Sequence, residues 1–219
     1  MTIFDTIYFA LLISILGLYI ALIRSYESYV LFVVAALICW LLTSVTAIYL
    51  STYAGLKNNL FIFHIAAPIE FSILMAMFYH YTGNKKVKRL ISITTISFVL
   101  LSILFSVFIQ PLSVNNTYIS ILESVLLIAM ALYFLRETLL LQQVQTLHRY
   151  PMFWISVGIL FHYAGNLVIE GMLNYLIAHS MDLARRVYHL SYFIKYILFI
   201  LLMIAALCTR SFKPAPKNN

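Results

Sequence analysis

The sequence predicts an all-α polytopic membrane protein, a seven-transmembrane-helix bundle with its N-terminus outside and its C-terminus cytoplasmic. Three observations lead there. The 219 residues are 63% hydrophobic and 10% charged, with a mean hydropathy of +0.98, far more apolar than a soluble domain of this length. Seven apolar runs are each long enough to cross ~30 Å of hydrocarbon at ~1.5 Å of helical rise per residue. The basic residues between those runs are distributed unequally between the two sides.

The first run, Ile7 to Ile23, is led by Asp5 rather than by Lys or Arg, and no small-residue cleavage site follows it. It therefore reads as a helix and not as a signal peptide. Val30 to Leu50 is the second span. The third, Leu60 to Tyr79, contains Pro68 shortly before Glu70, and the proline ring frees a backbone carbonyl in that helix. Thr82-Gly83-Asn84 then breaks the chain ahead of the basic cluster Lys85, Lys86, Lys88 and Arg89. Leu90 to Ile109 and Tyr118 to Leu135 supply the fourth and fifth spans. The segment from Arg136 to Arg149 keeps a leucine-rich helical pattern and reads as a linker in preference to an interfacial extension of the fifth helix. Met152 to Ile177 and Val187 to Leu207 complete the bundle. The transmembrane domain thus covers 1–209, and the tail 210–219, with Lys213, Pro214 and Pro216, is expected to be disordered in the cytoplasm.

Sorting the positive charges by side places Arg24, Lys85, Lys86, Lys88, Arg89, Arg136, Arg149, Arg210, Lys213 and Lys217 together. Only Lys57, Arg185 and Arg186 fall opposite, which orients the chain by the positive-inside rule. The formal charge of +7 follows from this asymmetry and not from a nucleic-acid-binding module, so no nucleic-acid partner is expected. Cys39 and Cys208 fall within or at the end of spans, where neither is placed for an outer-face disulfide. The connections are too short to fold independently, so any activity resides in the bundle.

Glu70, Glu123, Glu170 and Lys195 interrupt these apolar runs. A charge near the bilayer centre costs at least ~2.5 kcal/mol, so such groups face a bundle interior and pair with one another. His162, Asn166 and Glu170 are spaced by four, turning ~40° per step, and share a helix face. Tyr188, Tyr192 and Lys195 are read as one side of the seventh helix, with Ser191 a turn before the lysine. His189 lies shallower on the same helix. The expected ion pair is Glu170 with Lys195, and Glu70 is the competing partner. Glu70, Glu170, Lys195, His162, Asn166, Glu123, His189 and Tyr192 are thus the candidate ligand-binding residues.

Helix fastening is the plainer reading for Glu123 and for His64, because polar groups between helices contribute ~0.6 kcal/mol on average without further function. A metal site would have to recruit His64, His162 and His189 from three helices. No His-Glu-x-x-His or His-x-x-x-His pair supports one, and no cofactor is assigned. A retinal site is disfavoured because Ser191 stands where an aspartate would precede the lysine, and because Trp40 and Trp154 frame no pocket. The tetrad Phe63-His64-Ile65-Ala66 recurs as Phe161-His162-Tyr163-Ala164, a match short enough to be coincidence.

Asn58-Asn59-Leu60 leading to His64 and Glu70-Phe71, Glu123-Ser124, Pro151-Met152-Phe153-Trp154 with Gly158, Gly165-Asn166, and His189 followed by Lys195 form a dispersed set. With these residues the chain resembles an uncharacterised seven-helix family of bacterial membrane proteins, common in the Bacteroidetes group. His162 stands where that resemblance leads one to expect tyrosine, and Tyr196 where it leads one to expect asparagine. The resemblance implies a multi-pass protein of the bacterial inner membrane and no particular activity.

The expected function is binding of a small molecule or membrane lipid in an outward-opening polar pocket, as a sensor or accessory subunit. The short cytoplasmic loops would then require a separate cytoplasmic or membrane protein partner to carry an output. The alternatives are a membrane-embedded lipid-modifying or metal-dependent hydrolytic enzyme, and a proton- or ion-coupled transporter.

Overall fold

The computed structural model describes residues 3–25, 27–53, 58–140 and 147–211. They form seven long helices: α1 (Ile3–Leu22), α2 (Ser28–Thr52), α3 (Phe61–Tyr81), α4 (Lys85–Phe108), α5 (Thr117–Leu140), α6 (Pro151–His179) and α7 (Met181–Ser211). Short 3₁₀ turns at Ile23–Ser25 and Leu147–Arg149 follow α1 and precede α6. All seven helices contain a stretch long and apolar enough to cross a membrane, and the chain is a multi-pass helical membrane protein. Segment 141–146 of the expected linker and the tail from 212 onward lie outside the described residues.

Helix boundaries follow local chemistry. Asn84 caps α4, its side-chain oxygen accepting from the Lys86 amide at 2.9 Å, while Thr82 takes an extended conformation that stops α3. Pro151 occupies the first turn of α6, where its missing N–H costs no hydrogen bond. The observed helices extend past the apolar runs at their ends because polar residues such as Lys85 and Asp182 continue the helical turns beyond the hydrocarbon.

Six helices form a ring in the order α1, α2, α3, α5, α6, α7, with α7 returning to α1. Helix α4 stands outside this ring, packed mainly on α3. Its outward face, including Leu90, Ile93, Ile96, Leu100 and Val107, is exposed, as are apolar side chains around the whole exterior. Such a surface would be untenable in water and suits a lipid solvent. The core is aromatic and aliphatic, with Tyr19, Phe71, Phe78, Phe98 and Phe199 fully buried. Phe71 and Phe98 meet with ring centroids 4.0 Å apart, which docks α4 onto α3.

Buried hydroxyls tie α7 into the ring. Tyr19 donates to the Leu202 carbonyl at 2.9 Å, and Tyr196 donates to the Phe4 carbonyl at 2.9 Å. Tyr29 meets Thr209 Oγ1 at 2.5 Å, joining α2 to the other end of α7. Removing one such bond has a modest, measurable cost. Tyr19→Phe is expected to destabilise the detergent-solubilised protein by about 0.5–1.5 kcal/mol, read from its thermal unfolding midpoint. An unchanged midpoint would mean that the Tyr19 hydroxyl contributes nothing to the α1–α7 contact.

Candidate functional site

The ring encloses a cavity of about 410 Å³. It lies toward the half of the bundle that carries the α2–α3, α4–α5 and α6–α7 connections and reaches the bundle's middle, because its walls come from the central and C-terminal parts of α2 and α6, the N-terminal parts of α3 and α5, and the N-terminal and central parts of α7. Tyr8 of α1 and Asn115 and Asn116 of the α4–α5 connection complete the wall, to which α4 itself contributes no residue. All three span glutamates, together with Lys195, His162 and Asn166, reach this one cavity. Six of the eight candidate ligand-binding residues are therefore brought together from α3, α5, α6 and α7.

His189 and Tyr192 are not among the residues that line it. Tyr192 donates to Asp5 Oδ1 at 2.5 Å, and the His189 ring lies 5.1 Å from that of Phe4, so both serve the contact with α1. The reason is rotational. Tyr188, Ser191 and Lys195 face the cavity, and Tyr192, turned ~40° beyond Tyr188 in the opposite sense from Ser191, falls on the α1 side.

The expected Glu170–Lys195 ion pair does not form. Among the described residues the single ion pair within 4.0 Å joins Arg186 to Asp182 on the exposed start of α7. Glu170 instead accepts from Asn115 Nδ2 at 3.2 Å, which fastens α6 to the α4–α5 connection. Lys195 Nζ lies 5.3 Å from the centre of the Tyr8 ring, a cation–π placement at the cavity wall. Glu70 accepts a short hydrogen bond from Tyr163 of α6. Glu70 and Glu170 are thus held by separate neighbours, and the amine forms no ion pair within 4.0 Å with any of the three carboxyl groups.

Three polar atoms at the cavity are buried without a partner, Asn116 Oδ1, Glu123 Oε1 and His162 Nδ1. Leaving such a group unsatisfied costs about 1–3 kcal/mol. Other polar side chains at the cavity are engaged across helices. Asn166 Nδ2 donates to Ser120 Oγ at 3.1 Å and to Ser124 Oγ at 3.3 Å, linking α6 to α5.

His64 is not part of this cavity. Its Nε2 donates to the Val114 carbonyl at 2.9 Å and its Nδ1 meets Ser106 Oγ at 2.8 Å, so both ring nitrogens fasten α3 to α4 and its following connection. His64, His162 and His189 therefore sit in three different settings, and among the described residues no three His, Cys, Asp or Glu side chains are gathered around one metal position. The equivalence hinted at by the repeated tetrad is not seen, since His64 is doubly bonded and His162 faces the cavity.

Sequence reasoning passed over several wall residues. Trp40 lines the cavity, its ring 6.2 Å from that of His162, while Trp154 lies toward the opposite end and donates to the His148 carbonyl. Tyr8 pairs with Ser44 at 3.1 Å across α1 and α2. Tyr163 follows His162 directly, and nothing in the linear sequence links it to Glu70, 93 positions away. Asn115 and Asn116 of the α4–α5 connection also escaped notice as wall residues: Asn115 donates to Glu170 at 3.2 Å and Asn116 to the Phe63 carbonyl at 3.3 Å.

No protein-family model, curated protein or solved structure matches this chain. The geometry of the cavity is the basis for a functional reading.

Proposed function

We propose that this protein binds a small molecule or lipid in the polar cavity and acts as a sensor or accessory subunit of the bacterial inner membrane. The observation that carries the reading is the set of three unpartnered buried atoms, Asn116 Oδ1, Glu123 Oε1 and His162 Nδ1, within a cavity that also holds Glu70, Glu170 and Lys195. Among the described residues two more such atoms, Ser156 Oγ and His189 Nδ1, lie outside the cavity lining, so the gathering of three in one chamber, and not the lack of a partner alone, points to a ligand. At about 410 Å³ the cavity lies within the ~300–1,000 Å³ range of small-molecule sites, and its aromatic and aliphatic surface carries convergent polar groups able to orient a ligand.

The cavity faces outward in this proposal. The described basic residues Arg24, Lys85, Lys86, Lys88, Arg89, Arg136 and Arg149 gather at the opposite end, which the positive-inside rule assigns to the cytoplasm. A signalling output would pass to a separate partner at that end. The resemblance to seven-helix proteins of the Bacteroidetes group agrees with this location.

Native mass spectrometry of the gently solubilised protein tests the reading. A discrete adduct is expected on the wild type and is expected to be lost in Glu70→Gln, Glu170→Gln and Lys195→Met. An adduct that persists in all three variants, or a clean unliganded mass in lipid-retaining detergent, would count against a binding role for the cavity.

A further inference from the structure

We infer that the ligand is a zwitterionic, amine-bearing lipid, held by its headgroup in the polar cavity with a chain in the groove between α2 and α3, and admitted sideways from the bilayer between Thr43 and Ala66. This rests on the reading of the cavity as a binding site and names what occupies it.

A second recess of about 430 Å³ runs along α2 and α3. Its walls are mainly aliphatic, and four of their residues, Ile38, Leu42, Ile65 and Ile69, are exposed on the lipid-facing exterior. Thr43 and Ala66 line both this groove and the polar cavity. Both side chains are small, and the Thr43 hydroxyl turns back onto its own helix to the Cys39 carbonyl at 2.8 Å, so it offers the opening no polar bar. At this point a charged chamber and a hydrocarbon-facing groove are divided only by a threonine and an alanine.

Each recess alone suits a different ligand. A wholly water-soluble molecule would leave the groove unused, and a wholly apolar one would bury Glu70, Glu123 and Lys195 without compensation. An amphiphile satisfies both. The charge of its head follows from the wall, where carboxyl groups outnumber amines three to one. An ammonium group fits the carboxyls, and the faces of Tyr8, Trp40 and Tyr163 attract it further. Lys195 is the complement for an adjoining phosphate. The unpartnered Glu123 Oε1 can accept from the ammonium.

The chain has two tryptophans, so Trp154→Phe leaves Trp40 as the sole tryptophan reporter inside the cavity. In that background the purified protein would be titrated with dihexanoyl phosphatidylethanolamine below its micellar concentration, with phosphoethanolamine, and with dihexanoyl phosphatidylglycerol. The expected result is a saturable change in Trp40 emission, with half-saturation at least about tenfold lower for the ethanolamine lipid than for its chainless headgroup, since buried methylenes add affinity. The glycerol lipid should bind at least about tenfold more weakly than the ethanolamine lipid. Ala66→Phe should abolish the advantage of the chains, read within that variant as the ratio of the half-saturation points of the ethanolamine lipid and its chainless headgroup. Ala66→Leu, a smaller plug, should act in the same direction and serves if the phenylalanine variant does not fold. A chain advantage that survives both plugs overturns the lateral route while the binding site stands. Equal binding of the glycerol lipid overturns the amine assignment. No emission change with any probe overturns this inference, and the binding reading then stands or falls separately on the native mass spectrum.

Discussion

A Gly165→Leu variant is expected to lose the close contact between α6 and α7, and with it most of the stability of the bundle. A β-carbon at position 165 would stand 2.4 Å from Ile194 Cδ1, with Cγ1 and Cγ2 of the same side chain at 3.0 and 3.1 Å. Ile194 is β-branched and cannot swing all three atoms clear by changing one rotamer. Gly158 lies two turns earlier on the same face, and a β-carbon there would meet Leu198 Cδ1 at 3.0 Å and Leu201 Cβ at 3.4 Å. The two glycines therefore form the flat strip that lets the helices approach, as small residues do between membrane helices. Even Gly165→Ala should cost about 1–3 kcal/mol through overpacking, and leucine considerably more. Thermal unfolding in detergent would measure both, and Ile194→Ala should restore part of the loss in the alanine variant. A leucine variant that melts with the wild type would refute the close-packing account.

Tyr163 and Glu70 should show the strongest pairwise coupling in the cavity. Tyr163 is buried, and its hydroxyl donates to Glu70 Oε1 across the ring from α6 to α3. Tyr163→Phe removes that donor in a setting where water cannot freely replace it. The loss is expected to be about 1–3 kcal/mol, the range spanned by neutral and charge-assisted hydrogen bonds. A double-mutant cycle with Glu70→Gln isolates the interaction, because the Tyr163→Phe penalty should shrink once the carboxyl group is gone. Strict additivity of the two substitutions would mean that this contact does not hold the ring together. The cycle is best read on unfolding and on ligand retention in parallel, since Glu70 belongs to the proposed binding wall.

The architecture was legible because it follows from one quantity, the length of uninterrupted apolar sequence. Charges inside those runs also carried information, since Glu70, Glu123, Glu170 and Lys195 all reach the same cavity. Pairing was not legible. Whether Lys195 meets Glu170 depends on helix rotation and on side-chain reach of a few ångströms, and the competing donor to Glu170, Asn115, lies in a connection with no periodic pattern to place it. Face assignment failed for the same reason at Tyr192. A rotation of ~40° is within the width of a helical stripe, and only the position of α1 decides which neighbour the residue meets. Aromatic wall residues such as Trp40 and Tyr8 were hidden by abundance, because aromatics make up 16% of the chain and nearly every helix offers several.

The seam between α1 and α7 has a consequence for how the molecule is made. Every other contact around the ring joins helices that are consecutive or separated by α4 alone, whereas the Tyr19 hydroxyl reaches a carbonyl 183 positions away. Closing so large a loop is entropically unfavourable until its contacts are available, so the seam forms late. During synthesis the first helix must wait in the lipid for the last one to emerge. Tyr8 and Lys195 stand on opposite sides of this seam and both line the cavity. The chamber is therefore incomplete in every nascent chain shorter than seven helices, and ligand capture becomes possible only as the final helix arrives.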